Sequence, residues 1–122
     1  MSAIAGVGVD AVDVARFSAA LDRRPTMAGR LFTEGEQRDG RGDPQRLAAR
    51  FAAKEATMKA LGRGIGAFAW HDVEVVRLES GAPELRLASS AKALADARGV
   101  ARWHVSLTHT ETVAVAMVVA EG

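Results

Sequence analysis

The sequence predicts an α+β fold, with helices packed on one face of a small, mainly antiparallel sheet. Three observations predict it. Short apolar or alternating runs at Ile4–Val9, Trp103–Thr108 and Val113–Ala120 have the pattern of strands. Gln45–Leu61 has helical periodicity and stops at Gly62. Shorter helical patterns and a hairpin signal lie between the terminal strands, rather than strand and helix in strict alternation.

Each element has its own justification. Ile4–Val9 is apolar and punctuated by glycine, as a buried strand can be. From Asp13, a plausible N-cap, Val14, Phe17 and Leu21 fall on one helical face, and Pro25 ends the helix. Arg16 and Arg23 are seven apart and share another face. Residues 26–44 contain a short helical turn opened by Thr33, where TEGE has the capping-box pattern with Glu36 at its third position. GRGDP then reads as a loop. After the central helix comes the glycine-rich GRGIGAF. Val73–Leu78 reads as a strand, SGAP as a turn and Glu84–Leu87 as the returning strand. Ser89 or Ser90 is expected to cap a helix running to about Arg98, with Gly99 its stop. In Trp103–Thr108, Trp103, Val105 and Leu107 point one way and His104, Ser106 and Thr108 the other. The near-continuous apolar run Val113–Ala120 predicts a central strand covered on both faces.

Composition narrows the function. The 122 residues, 48% hydrophobic and 25% charged, fit one soluble globular domain over 1–122 that oligomerisation would help to stabilise. A net charge of +1 lacks the basic excess of a nucleic-acid binder. The absence of cysteine excludes disulfides, thiolate chemistry and cysteine zinc sites, and fits a cytoplasmic location. No secretory leader is visible, and no apolar run reaches the ~20 residues of a membrane span, so neither a membrane nor a nucleic acid is an expected partner.

The chemistry centres on FAAKEATMKALG, Phe51–Gly62. At about 100° per residue, Phe51, Met58 and Leu47 lie to one side of Glu55 and Ala48, Ala52, Ala56 and Ala60 to the other. Arg46, Arg50, Lys54 and Thr57 occupy the remaining arc, the natural solvent face. Spacing alone allows Glu55 and Lys59 to be an ordinary i,i+4 surface pair, worth a few tenths of a kcal/mol. The direction argues otherwise, because an inward carboxylate is costly unless paired or bound to a cation. Asp10, at the end of the first strand, is either a turn aspartate or a second site carboxylate. Two carboxylates from separate segments suit Mg²⁺, which takes one or two of them plus phosphate and water. The set does not suit zinc. GVGVDA and GRGIGA both fit G-x-G-x-x-A in form. The first puts Asp10 where a pyrophosphate would sit, and the second follows a helix instead of a strand. The Gly62–Gly66 loop can still offer backbone N–H groups to an anion. His109 ends the alternating strand, while His71 and His104 attract no role.

Together, G-V-G-V-D-A-V-D-V-A-R-F (Gly6–Phe17), R-F-A-A-K-E-A-T-M-K-A-L-G (Arg50–Gly62), G-I-G (Gly64–Gly66) and W-H-V-S-L-T-H-T (Trp103–Thr110) resemble the holo-acyl-carrier-protein synthases. These are the small, single-repeat class of 4'-phosphopantetheinyl transferases. The resemblance covers nearly the whole chain. It implies that family's fold and the transfer of 4'-phosphopantetheine from coenzyme A to a serine of apo acyl carrier protein. Adenosine 3',5'-bisphosphate leaves, and fatty acid or polyketide biosynthesis is served. It implies Asp10 and Glu55 as magnesium ligands, Lys59 near the pyrophosphate, and Gly62, Gly64, Ile65 and Gly66 lining the nucleotide site. Ser106 and His109 would contact coenzyme A. Arg16, with Arg23 on its face, would contact the carrier protein. The family is typically a homotrimer with sites shared between subunits. Thr110 stands where some members carry an acid. Asp10, directly or through a water it orients, is the expected base for the serine, and His109 competes for that role. The Asp10/Glu55/Lys59 set alone would also allow a magnesium-dependent hydrolase of another nucleotide phosphoanhydride.

Overall fold

The computed structural model describes residues 2–63 and 66–122. In chain order these form β1 (Ile4–Asp13), α1 (Val14–Arg23), α2 (Met27–Leu31), α3 (Glu34–Asp39), α4 (Pro44–Ala60), a 3-10 turn (Trp70–Asp72), β2 (Val73–Arg77), β3 (Pro83–Leu87), α5 (Ser89–Ala97), β4 (Arg102–His109) and β5 (Val113–Glu121). The α+β class holds. The strands form a three-stranded antiparallel sheet, β1-β5-β4, and a separate β2-β3 hairpin sheet.

Local sequence chemistry sets many of the boundaries. The Asp13 carboxylate accepts from Arg16 N–H at 2.8 Å and caps α1, as its type and position predict. Thr33 and Glu36 complete a reciprocal capping box at the start of α3. Helix α4 begins one residue earlier than expected. Asp43 caps it through Arg46 N–H, and Pro44 takes the first turn, where its missing N–H costs nothing. Gly62, at φ 70°, closes it: Gly62 N–H donates to Lys59 O and Arg63 N–H to Met58 O, both at 2.9 Å. That is the Schellman arrangement.

The structure differs from expectation at several points. β1 continues past Val9 to Asp13 because antiparallel pairing with β5 persists as far as Val113. The five-residue α2 carries no side-chain cap to announce it. Neither serine caps α5. Ala88 is its N-cap, and the Ser90 hydroxyl donates to Asp72 Oδ2 at 2.5 Å instead. β5 is central, but only one of its faces is covered. Ala114, Ala116, Val118 and Ala120 are buried beneath α4, while Val113 and Met117 are exposed on the other side. A continuous apolar run cannot say what covers each face, and among the described residues nothing covers the outer one. Ile4 (70% exposed), Val7 and Val9 (57%) extend that open apolar surface along β1.

The largest revision concerns α4. The arc drawn as its solvent face is buried at Arg50, Lys54 and Thr57. The main sheet lies on one side of the helix, and α3 and the hairpin close the other. The Lys54 side chain is 0% exposed. Its Nζ donates to Trp70 O (2.9 Å) and Val73 O (2.5 Å) and pairs with Glu36 Oε1 (2.8 Å), which uses all three ammonium protons. Glu36 accepts in turn from Thr33 and Val75 N–H. Around the N-terminal half of α4, Phe17 stacks on Phe51 (centroids 4.9 Å) and Phe51 meets Trp70 (5.4 Å), which fastens α1 to the helix.

Candidate active site

The site starts from strand parity. Gly6, Gly8, Asp10 and Val12 face α4, and alternate residues face away. Asp10 therefore points at the helix turn that carries Glu55 and Lys59. Lys59 Nζ lies 2.8 Å from Asp10 Oδ1 and 3.1 Å from Val9 O. The lysine thus binds across elements to the strand, and its side chain remains half exposed. It does not form the i,i+4 surface pair with Glu55 that its spacing allows.

Glu55 is half-buried, as its inward direction requires. Burial raises its pKa above the ordinary carboxylate value. The Asp10 charge raises it further, Lys59 opposes the rise, and a hydrogen bond with the Asp10 carboxyl adds to it. Lys59 is held above the ordinary lysine value, chiefly by its hydrogen bond to Asp10. Two carboxyl groups thus lie close together, with Lys59 bound to one of them. Such a pair favours either a shared proton or a cation. Among the described residues no group of three His, Asp or Glu side chains converges. Two carboxylates with open positions left for phosphate and water match the donor set of Mg²⁺.

The other expected residues are placed less compactly. His109 is opposite Ala114 on β4, whereas Asp10 is opposite Ala116 on β1. The central strand separates them, and two strand spacings with a two-residue offset put them about 12 Å apart. Ser106 pairs with Met117 and faces the open side of the sheet, away from Asp10. Gly66 has φ 94°. Gly64 and Ile65 lie outside the described residues. Arg16 and Arg23 come together, as their spacing predicts, along a surface cleft of about 470 Å³ floored by Ala11, Phe17 and Ala20.

Sequence reasoning missed a second cationic site. Arg46, Arg50 and Arg77 line a cleft of about 230 Å³ with Pro83 and Leu107. Arg50 is almost fully buried, and its Nε has no hydrogen-bond partner among the described residues. Its ion pair with Asp39 is long, at 3.8 Å. Such a guanidinium can take an anion. The only sequence signal was Arg50 four residues after Arg46, two like charges stacked on what looked like a solvated face.

Comparison with known proteins identifies the fold and the family. Residues 6–118 match the family model of the 4'-phosphopantetheinyl transferase superfamily, and the chain belongs to that family. A holo-acyl-carrier-protein synthase from Frankia alni is 55% identical over 119 residues, which cover 98% of each chain. The crystal structure of a holo-acyl-carrier-protein synthase from Neisseria meningitidis superposes with a TM-score of 0.88 at 33% identity, over 98% of this chain and 100% of that one. The Helicobacter pylori synthase, solved in complex with coenzyme A, gives 0.85 at 28% identity, over 93% and 98%.

Proposed function

We propose that the chain is a holo-acyl-carrier-protein synthase, a single domain over 1–122 acting in the cytoplasm. It moves 4'-phosphopantetheine from coenzyme A to a serine of apo acyl carrier protein. The observation that carries the mechanism is the meeting of Asp10 and Glu55, from different elements, beside the half-exposed ammonium of Lys59.

In this reading Asp10 and Glu55 would hold Mg²⁺, which would supply positive charge to offset that of the pyrophosphate. Lys59 exchanges its Asp10 contact for an oxygen of the leaving phosphate, since an exposed lysine on a flexible stem can turn at little cost. The serine hydroxyl attacks the β-phosphorus. A serine O–P bond forms, and the bond from that phosphorus to the bridging oxygen breaks. The electron pair leaves with adenosine 3',5'-bisphosphate. Asp10 takes the serine proton, directly or through a water it orients. Catalysis of this kind is mostly positioning and charge neutralisation. Gly62–Gly66 backbone, Ser106 and His109 contact coenzyme A, and Arg16 and Arg23 meet the acidic carrier protein.

The assembly is a homotrimer with sites shared between subunits. Two features support that. The apolar sheet face at Ile4, Val7, Val9, Val113 and Met117 is exposed in one chain. Arg50 and Glu55 project about 140° apart around α4, and His109 and Ser106 lie beyond β5 from Asp10. Neighbouring subunits in a trimer would bring such separated groups to one bound coenzyme A.

The test is incubation with coenzyme A, Mg²⁺ and apo carrier proteins, with mass spectrometry of the carrier. The expected result is the pantetheine-arm increment on one serine, lost on chelation. Release of nucleotide without carrier modification would support hydrolysis of a phosphoanhydride instead and overturn the transferase reading.

A further inference from the structure

Gly6 and Gly8 do more than break up a strand. A Cβ built on Gly6 would lie 1.8 Å from Ala60 O, and one on Gly8 1.8 Å from Ala56 O. Both oxygens are helix backbone, which cannot turn aside as a side chain can. Real Cβ atoms keep at least 3.0 Å, so any other residue at these positions forces β1 and α4 apart by more than an ångström. The helix answers with alanine: Ala52, Ala56 and Ala60 are all buried along this line. The contact also repeats in register. Two strand residues advance about 6.8 Å, and four helix residues about 6 Å. Gly6 therefore meets Ala60, Gly8 meets Ala56, and the next strand residue on that face is Asp10. It arrives beside Glu55 and Lys59.

We propose that Gly6 and Gly8 are positioning residues that fix the distance between the Asp10 and Glu55 carboxylates, and thereby select a small divalent cation over a large one. This rests on the magnesium reading of the site. Mg²⁺ requires oxygens at about 2.0–2.1 Å in near-octahedral geometry, whereas Ca²⁺ accepts about 2.3–2.6 Å and irregular shells. Across two ligand bonds the ions differ by about 0.4–1.2 Å, the scale of the displacement that a methyl group imposes. A widened gap disfavours Mg²⁺ more than Ca²⁺. Gly8, next to the Glu55 turn, governs the gap more than Gly6, which touches the last turn of α4.

The experiment measures Mn²⁺ binding by electron paramagnetic resonance in coenzyme-free protein, with Mg²⁺ and Ca²⁺ as competitors. Thermal melts accompany each variant. Gly8→Ala is expected to shift the competition about tenfold toward Ca²⁺, the lower end of what changes behind metal ligands produce. Gly6→Ala meets an equally close oxygen, so it is expected to lower the melting temperature by a similar amount with a smaller shift in ion preference. Ion preference that tracks melting temperature alike in both variants would reduce the glycines to a structural role and overturn the proposal. If neither glycine variant folds, the lengths of the two acidic arms test the same gap. Asp10→Glu and Glu55→Asp should each weaken Mg²⁺ binding, and the double exchange should restore it. Asp10→Glu binding Mg²⁺ as well as wild type would show that the gap is not fixed. Wild-type protein that binds none of the three ions, even with adenosine 3',5'-bisphosphate added to supply phosphate oxygens, would overturn the magnesium reading itself, and this inference with it.

Discussion

Replacing Lys54 with methionine tests the revised picture of α4. The two side chains are similar in length, so the change removes charge and donors more than volume. Lys54 makes three contacts, to Trp70 O, Val73 O and Glu36 Oε1, at 0% exposure. Burial pulls its pKa below the ordinary lysine value, and the Glu36 charge pulls the other way. Methionine leaves two backbone carbonyls short of a donor and Glu36 buried without its cation, although the Thr33 and Val75 N–H groups still reach that carboxylate. Removing one partner of a buried pair costs about 3–5 kcal/mol. At about 4 °C per kcal/mol for a domain of this size, the melting temperature should fall by about 12–20 °C. Urea unfolding of both proteins at the same concentration, followed by far-ultraviolet circular dichroism, gives the free-energy difference with the assembly contribution held in common. A loss below about 1 kcal/mol is the surface value for an ion pair. It would mean that Lys54 faces water, as the helical wheel alone suggested, and that the reasoning about its burial is wrong.

Four further outcomes follow. Glu55 has a raised pKa in the metal-free fold, so its contribution to stability is present below the ordinary carboxylate value and is lost as pH rises through the raised one. Glu55→Gln should therefore raise the neutral-pH melting temperature of metal-free protein while lowering turnover at least about 10²-fold; a lower melting temperature would contradict the desolvation argument. Met117→Lys puts a charge on the open sheet face and should reduce the assembled species seen by analytical ultracentrifugation, whereas an unchanged sedimentation coefficient would remove that face from the interface. Arg16→Ala should raise the carrier-protein KM about fivefold, the scale of one exposed ion pair, with coenzyme A KM unaltered, and equal losses for both substrates would refute a docking role. His109→Ala should keep the shape of the pH–rate profile if Asp10 is the base. Loss of one limb of that profile, with coenzyme A affinity intact, would give the role to His109.

How legible the molecule was depended on the range of the interaction. Asp13, Thr33 with Glu36, and Gly62 act on backbone within three or four residues, and each was found where its sequence context put it. Asp72 won the Ser90 hydroxyl from eighteen residues away, so a local capping rule misplaced that side chain. The helical wheel gave the direction of Glu55 correctly and failed for Lys54. A wheel orders directions around an axis but cannot tell how many of them are covered, and α4 is covered on nearly all. The partner of Lys54 is Glu36, whose capping-box role was visible while its long-range one was not. Lys59 repeats the lesson. Its i,i+4 neighbour was the obvious partner, and the strand about fifty residues earlier holds it instead.

The junction between β1 and α1 has no linker at all. Asp13 is at once the last residue of the strand and the cap of the helix, and Val14 N–H is fastened to Thr112 O at 2.9 Å. Asp10 and Arg16 therefore sit on one unbroken stiff segment, with about 10 Å of strand between Asp10 and the hinge-less corner. The span from Asp10 to Arg16 works as a gauge without slack. A single inserted residue after Asp13 would turn α1 by about 100° and carry Arg16 and Arg23 off their cleft. This corner should thus tolerate substitution of exposed side chains but no change in length. Under the docking role proposed for Arg16, a carrier protein would have to present its serine at one fixed reach.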